Sequence, residues 1–270
     1  MSTRREAPAL KSLMRHALIQ IQIRASLFEE NLRGWRRFAR WVPRLVSSAL
    51  RGDLGHGQGS GEALTSSFVA DLKSLPAFYI NLDSRPDRNL QTLEEFRRMG
   101  LRTPIRFAAA SNPNGGLGCS MSHRDLVQML IATGSGLTMI CEDDVEFIAH
   151  PQAFSNVILE FQERRNLGVL CLAYRVRGPR LRISSSLSIS NNIQTAACYV
   201  VKPFALRPLR QSFQTSVSKL EQGAAWATFA NDQLWKQVQT DEIFFSIPHT
   251  PMARQRESYS DIAMKRKFYR

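Results

Sequence analysis

The stretch Ile140-Cys141-Glu142-Asp143-Asp144-Val145-Glu146-Phe147 decides how this chain is read. The apolar run from Leu137 to Cys141 stops abruptly at three consecutive carboxylates. A short apolar run of this kind suits a buried strand in a layered α/β sheet. Ligands of open α/β sheets bind just beyond the carboxyl ends of the strands. Charge is costly to bury unless it is paired or bound to metal, and adjacent carboxylates raise one another's pKa. A hard divalent cation such as Mg²⁺ or Mn²⁺ relieves both problems, because it prefers oxygen ligands. Glu142, Asp143 and Asp144 are therefore either a solvated turn or a metal site able to hold a phosphorylated substrate. The neighbouring segments decide between the two.

Around this stretch the pattern alternates. Strand-like runs lie at Ala77 to Leu82, Ile105 to Ala109, Gly168 to Leu172, Gln194 to Val201 and Ile243 to Ile247. Between them Leu90, Leu93, Phe96 and Met99 form a helical stripe closed by Gly100. Ser120 or Ser122 is placed to cap a helix running to about Ala132. Helical spacing also covers Pro151 to Arg164 and Ala224 to Val238. Strands alternating with helices predict an α/β fold with a largely parallel sheet.

The chain has 270 residues, enough to bury a full core in one or two domains. Its longest uncharged run, Ile183 to Val201, is too rich in Ser, Asn and Gln for a membrane span. Charges interrupt every apolar stretch before Ala49, which disfavours a secretory leader. Cys119, Cys141, Cys171 and Cys198 are widely spaced, which points to reduced thiols in a cytosolic protein. The net charge is +13, and residues 1–51 hold eleven Lys/Arg against three acids, so +8 of it lies there. Within residues 10–51, Leu13, Met14, Ala17, Leu18 and Ile21 share one helical face, as do Trp35, Phe38, Val42, Leu45 and Ala49. A basic helix with such a face suits an anionic membrane interface, and packing on protein is the alternative. No nucleic-acid motif accompanies the charge. The expected organisation is a basic amphipathic segment over 1–51, a Gly-rich linker over 52–70 and a folded domain over 71–270.

Three further segments carry chemistry. Tyr79-Ile80-Asn81-Leu82-Asp83-Ser84-Arg85-Pro86-Asp87-Arg88 runs from a strand into a polar loop. Asn81, Asp83, Arg85 and Arg88 are candidates to grip a nucleoside and its phosphate. Gly115-Gly116-Leu117-Gly118-Cys119-Ser120-Met121-Ser122-His123 places glycines at a helix start, where an anion is favoured. Gly118, Ser122 and His123 are candidate ligand contacts. Thr195 to Val201 joins small residues to a strand and leaves room for a sugar.

In this order and spacing the segments resemble glycosyltransferase family 25. The matching residues are Ile80 to Asp83 with Arg85 and Asp87-Arg88, then Gly115 to His123, then Glu142 to Asp144. Thr195 to Tyr199, Asn231-Asp232, Pro248, Gln255, Ser258 and Asp261-Ile262 follow, so the resemblance covers residues 76–262. The resemblance implies a GT-A-type nucleotide-binding fold, a mixed and mostly parallel sheet flanked by helices. It implies inverting transfer of a sugar, usually galactose, from a nucleotide sugar such as UDP-galactose, with Mn²⁺ or Mg²⁺ held by a DxD-like motif. Asp144 and Glu142 would then bind the metal, and Glu142 or Asp143 the nucleotide side.

Asp232 is the candidate base, with a helix-capping role as its alternative, and Trp235 a candidate sugar-stacking ring. Arg124-Asp125 departs from the family pattern. The loop from Tyr174 to Ser190, rich in Arg and Ser, matches nothing in it and is expected to face the acceptor. A glycan or lipid-linked acceptor, met at the cytoplasmic face of a membrane, fits these features. The competing classes are a metal-dependent phosphodiesterase or nucleotidyltransferase, which needs more ligands converging on the metal, and a non-catalytic scaffold.

Overall fold

The computed structural model describes residues 72–240, 242–260 and 265–267. The basic segment, the linker and Asp261-Ile262 lie outside the described residues. The strands are β1 (Ala77–Asn81), β2 (Ile105–Ala108), β3 (Thr138–Glu142), β4 (Val145–Phe147), β5 (Leu167–Cys171) and β6 (Arg175–Val176). They continue as β7 (Leu181–Arg182), β8 (Leu187–Ser190), β9 (Ile193–Gln194), β10 (Cys198–Val201), β11 (Phe244–Pro248) and β12 (Ala253–Gln255). The helices are α1 (Pro86–Arg98), α2 (Gly115–Ala132), α3 (Pro151–Glu163), α4 (Pro203–Glu221), α5 (Trp226–Phe229) and α6 (Asn231–Leu234).

Eight strands form one mixed sheet in the order β2-β1-β3-β10-β5-β11-β8-β7. β1 runs parallel to β2 and β3, and β11 parallel to β5. β10 is antiparallel to β3 and β5, and β8 to β11 and β7. Six strands therefore share a direction, and β10 and β8 oppose them. This is the mixed, mostly parallel α/β architecture that the alternating pattern predicts.

Alternation along each buried strand divides the core into two layers. Met139 and Cys141 of β3 face a layer containing Phe96 of α1 and Phe154 and Phe161 of α3. Ile140 between them faces Leu126, Val127 and Leu130 of α2, Phe213 of α4 and Trp235. Each such large apolar side chain contributes about 1.5–3 kcal/mol on burial. Cys141 and Cys171 pack as small apolar residues in these strands, as expected.

Several local expectations are corrected. Asn114, not Ser120 or Ser122, caps α2, its side-chain oxygen accepting from the Leu117 amide. The helix starts five residues before Ser120, so both serines sit inside it, buried and bonded to the Gly116 and Gly118 carbonyls. Leu90 leaves the apolar stripe of α1 and is 68% exposed. The strand expected over Gln194 to Val201 is split into β9 and β10 by Thr195, whose φ is +83°. The helix expected over Ala224 to Val238 is split into α5, α6 and a 3₁₀ turn, Trp235–Gln237, because Ala230 takes an extended ψ of 154°. α4 is an element the sequence pattern does not announce. Pro203 opens it and Pro208 interrupts its hydrogen-bond ladder, both of which read as breakers. Its Leu206, Leu209, Phe213, Val217 and Leu220 are buried and hold it in place.

Candidate active site

The carboxyl ends of β1 and β3 lie side by side, with Ile80 opposite Glu142. The segments that leave the two strands meet at this edge. Asn81 Nδ2 donates to Asp143 Oδ2 at 2.8 Å, and Arg88 from the first turn of α1 donates to Asp143 Oδ1 at 2.8 Å. Thr92 Oγ1 donates to the Asp143 carbonyl at 3.1 Å. Asp143 is thus the pin that ties the acidic turn to β1 and α1. Burial raises its pKa, opposed by Arg88 and Asn81.

Asp144 behaves differently. Its Oδ1 is buried and has no hydrogen-bond partner among the described residues. Its Oδ2 lies 4.0 Å from Arg88, which is already engaged by Asp143. Burial, followed by the charge of Glu142, pushes its pKa up to about 7. An orphaned buried carboxylate oxygen is costly, and a cation is the ordinary remedy. The residues present therefore fit a divalent metal.

Glu142 joins β3 to the helix behind it. Its amide donates to the Ala197 carbonyl at 2.8 Å, which fixes it against the start of β10. Its Oε1 lies 3.3 Å from His123 Nε2 and 3.8 Å from Cys119 Sγ. Its Oε2 accepts weakly from Gln255 of β12 at 3.5 Å. Burial raises the Glu142 pKa, but His123, Arg88 and Cys119 outweigh it and hold the carboxylate below its usual range. His123 is fully buried, and its Nδ1 faces the Tyr199 hydroxyl at 3.2 Å. Ligand atoms of Cys119, His123 and Glu142 lie within 4.8 Å of one another, a mixed sulfur, nitrogen and oxygen set that can also hold a metal.

Asp232 lines the same cleft from the start of α6. Its Oδ2 accepts from the Thr195 amide at 3.1 Å, which is what the strained Thr195 backbone provides. The neighbouring Asn231 reaches Cys119 Sγ with its Nδ2 at 3.7 Å. Burial pushes the Asp232 carboxyl up, offset by the Thr195 amide and reinforced by Glu142.

These contacts surround one cleft of about 580 Å³. Arg88, Gly118, Ser122, His123, Glu142, Asp143, Asp144 and Asp232 all border it. Asn81 lies just beneath, holding Asp143. Asp83 does not reach the cleft. It is exposed and pairs with Arg106. Arg85 also turns away, to Asp87. Gly118 has a packing reason as well, since a Cβ there would meet the Ala110 carbonyl oxygen at 2.6 Å. Ser122 accepts from the Ala110 amide and fixes the same loop.

Trp235 is fully buried, its Nε1 donating to the Ile193 carbonyl, so it cannot stack on a sugar. Trp226, 42% exposed and lining the cleft against Gly116, is the aromatic in that position. Trp226 and Trp235 carry equal claims in an unbroken helical pattern, and only the break at Ala230 separates them. Arg106, which donates to the Asn81 side chain and carbonyl, has no sequence signal, being 25 residues away.

No family model matches the chain, and no curated protein matches it. Among solved structures, the chain is similar to a glycosyltransferase involved in the glycosylation of the major capsid of PBCV-1. That likeness has a TM-score of 0.46 at 12% identity and covers 70% of this chain and 96% of the other. It is also similar to mannose-1-phosphate geranyltransferase from Thermus thermophilus, with a TM-score of 0.35 at 10% identity, covering 70% of this chain and 76% of the other.

Proposed function

We propose that this protein is a metal-dependent inverting glycosyltransferase that moves a sugar from a nucleotide sugar to an acceptor hydroxyl. The observation that carries the reading is the pairing of an orphaned buried Asp144 oxygen with a held, raised-pKa Asp232 in a single cleft. Asp144 and the weakly held Oε2 of Glu142 would hold Mn²⁺ or Mg²⁺. When bound, such an ion supplies the charge that neutralises a departing diphosphate. Arg88 and the first turn of α2 add positive potential on the same side. Asp232 takes the proton from the acceptor hydroxyl. Thr195 holds its Oδ2, so Oδ1 is the oxygen left for that task. A carboxylate with an upward-shifted pKa is better matched to this work near neutral pH.

Galactose carried by UDP is the donor that the resemblance to family 25 implies. A glycan or lipid-linked acceptor suits a protein with a basic amphipathic segment over residues 10–51. Nucleotide release from UDP-galactose and other nucleotide sugars, measured with and without Mn²⁺, tests the reading. Release of UDP that needs Mn²⁺ and falls at least 100-fold in Asp144→Asn is the expected result, in line with the several kcal/mol a metal supplies. No release or binding of any nucleotide sugar, with Asp144→Asn identical to the wild type, would overturn it.

One observation favours a second reading. Cys119 and His123 converge with Glu142, which is the extra ligation a phosphodiesterase or nucleotidyltransferase needs. The same assay separates the two, since that enzyme would break the anhydride between the phosphates and release a sugar 1-phosphate, with no nucleoside diphosphate set free.

A further inference from the structure

The cleft carries two positive charges that have no partner among the described residues. Arg175 and Arg177 both line the cleft. Arg175 belongs to β6 and Arg177 follows it directly, so both stand on the same short stretch of backbone. Val176 between them packs against the core layer of Trp235 and Phe245. The backbone that carries the pair is fastened at several points. Arg175 is in register with Gln194 and Val176 with Ile193 of β9. The Arg177 amide donates to the Asn192 carbonyl at 3.1 Å, and Asn192 Nδ2 donates back to the Arg177 carbonyl. Just before them, the Tyr174 hydroxyl donates to the Pro248 carbonyl at 2.6 Å.

Neither guanidinium has an ion pair or side-chain hydrogen bond among the described residues, whereas Arg88, the third arginine of the cleft, is engaged by Asp143. Two arginines on a fastened backbone, lining a cleft without a counter-ion among the described residues, suit an anion. Their position says which substrate they serve. Arg175 pairs with Gln194, Gln194 Nε2 donates to Gln233 Oε1 at 3.2 Å, and the adjacent Thr195 holds Asp232. The pair is therefore tied through β9 to Asp232 and its α6 neighbours, whereas Arg88 is tied to the acidic turn.

We infer that the acceptor is an anionic sugar, carrying a carboxylate or phosphate that Arg175 and Arg177 clamp while its hydroxyl faces Asp232. This rests on the transferase reading and adds the substrate class to it.

The test uses the full chain, the nucleotide sugar it hydrolyses, Mn²⁺ and three acceptor probes: methyl glucoside, methyl glucuronide and glucose 6-phosphate. The wild type is expected to favour the charged sugars over methyl glucoside by about tenfold or more in kcat/KM, the scale of a charge-assisted contact. The arm that wins separates carboxylate from phosphate. In R175Q/R177Q the acceptor KM for the favoured probe should rise about tenfold, with donor KM moving less than about twofold. Equal use of the neutral sugar by the wild type overturns the inference. So does a variant whose donor KM rises instead, which would assign the pair to the donor diphosphate.

Binding of the same charged probes, followed by titration calorimetry, works without turnover. If no nucleotide sugar is hydrolysed but R175Q/R177Q weakens binding of a charged probe about tenfold, the anion site stands and the transferase reading falls. If both proteins bind the charged probes equally, or neither binds them, the anion site falls. Both arginines are on the surface of the cleft, and matching thermal melts will establish that the variant is folded.

Discussion

At the residue scale the three consecutive carboxylates have separated into three jobs. Asp143 is the pin, Glu142 the hinge to His123, and Asp144 the group left without a partner. The sign of the Asp144 effect on stability follows from its raised pKa. Its folded value of about 7 lies above its unfolded value of about 4, so the folded state holds the extra proton between them. Its contribution is present below about pH 4 and is lost as pH rises to about 7. Urea denaturation without metal should show the wild type losing a few kcal/mol across that window relative to Asp144→Asn, and Mn²⁺ should restore it selectively to the wild type.

Glycines supply a second residue-scale contrast. Gly118→Ala pushes a Cβ to 2.6 Å from the Ala110 backbone oxygen and should cost about 1–3 kcal/mol in the same measurement. Gly116→Ala meets the Trp226 ring at 2.1 Å, and that ring is partly exposed and able to move. It should change tryptophan fluorescence with a smaller loss of stability.

At the element scale the cap of α2 is decisive. Asn114 sets the start of the helix and so places Gly118, Ser122 and His123 in its second and third turns. Asn114→Ala should cost about 1 kcal/mol by thermal or urea denaturation, the usual loss for a cap. Ser120→Ala acts elsewhere. It breaks a buried bond to Ser216 of α4 besides the one to the Gly116 carbonyl, so its effect should depend on the partner and shrink in a Ser216→Ala background. A capping serine would show no such coupling. The short β4 has its own consequence, since pairing with β12 brings Gln255 over Glu142 and the Arg256 amide to the Asp144 carbonyl. The acidic turn is thereby closed from the C-terminal side.

At the scale of the whole molecule, no helix among the described residues is long and apolar enough to cross a membrane. The proposed contact with an anionic membrane surface rests on the basic amphipathic pattern of residues 10–51. Each basic residue near an anionic surface is worth about 1 kcal/mol, so several act together. Substituting Arg33, Arg36, Arg37, Arg40 and Arg44 by Gln should abolish flotation of the full chain with anionic liposomes while leaving its melting temperature in solution within about 2 °C. Flotation equal to the wild type would show that the segment serves another purpose.

The amino-acid sequence by itself determined the alternating α/β pattern and the place of the acidic turn at a strand end. These are local matters, governed by hydrophobic runs of strand length and by where charge can be tolerated. It also marked Arg88, Gly118, Ser122, His123, Glu142 to Asp144 and Asp232, all of which border one cleft. Only the tertiary structure decided which of them are partnered. Asp83 and Arg85 turned outward because nearer charges satisfied them. Trp235 was drawn into the core and Trp226 left at the cleft by a backbone break at Ala230. Arg175 and Arg177 gained meaning from β9, which pairs with their backbone next to Thr195, the residue whose amide holds Asp232. Partnership depends on long-range packing, and single-chain periodicity carries no record of which distant group arrives first.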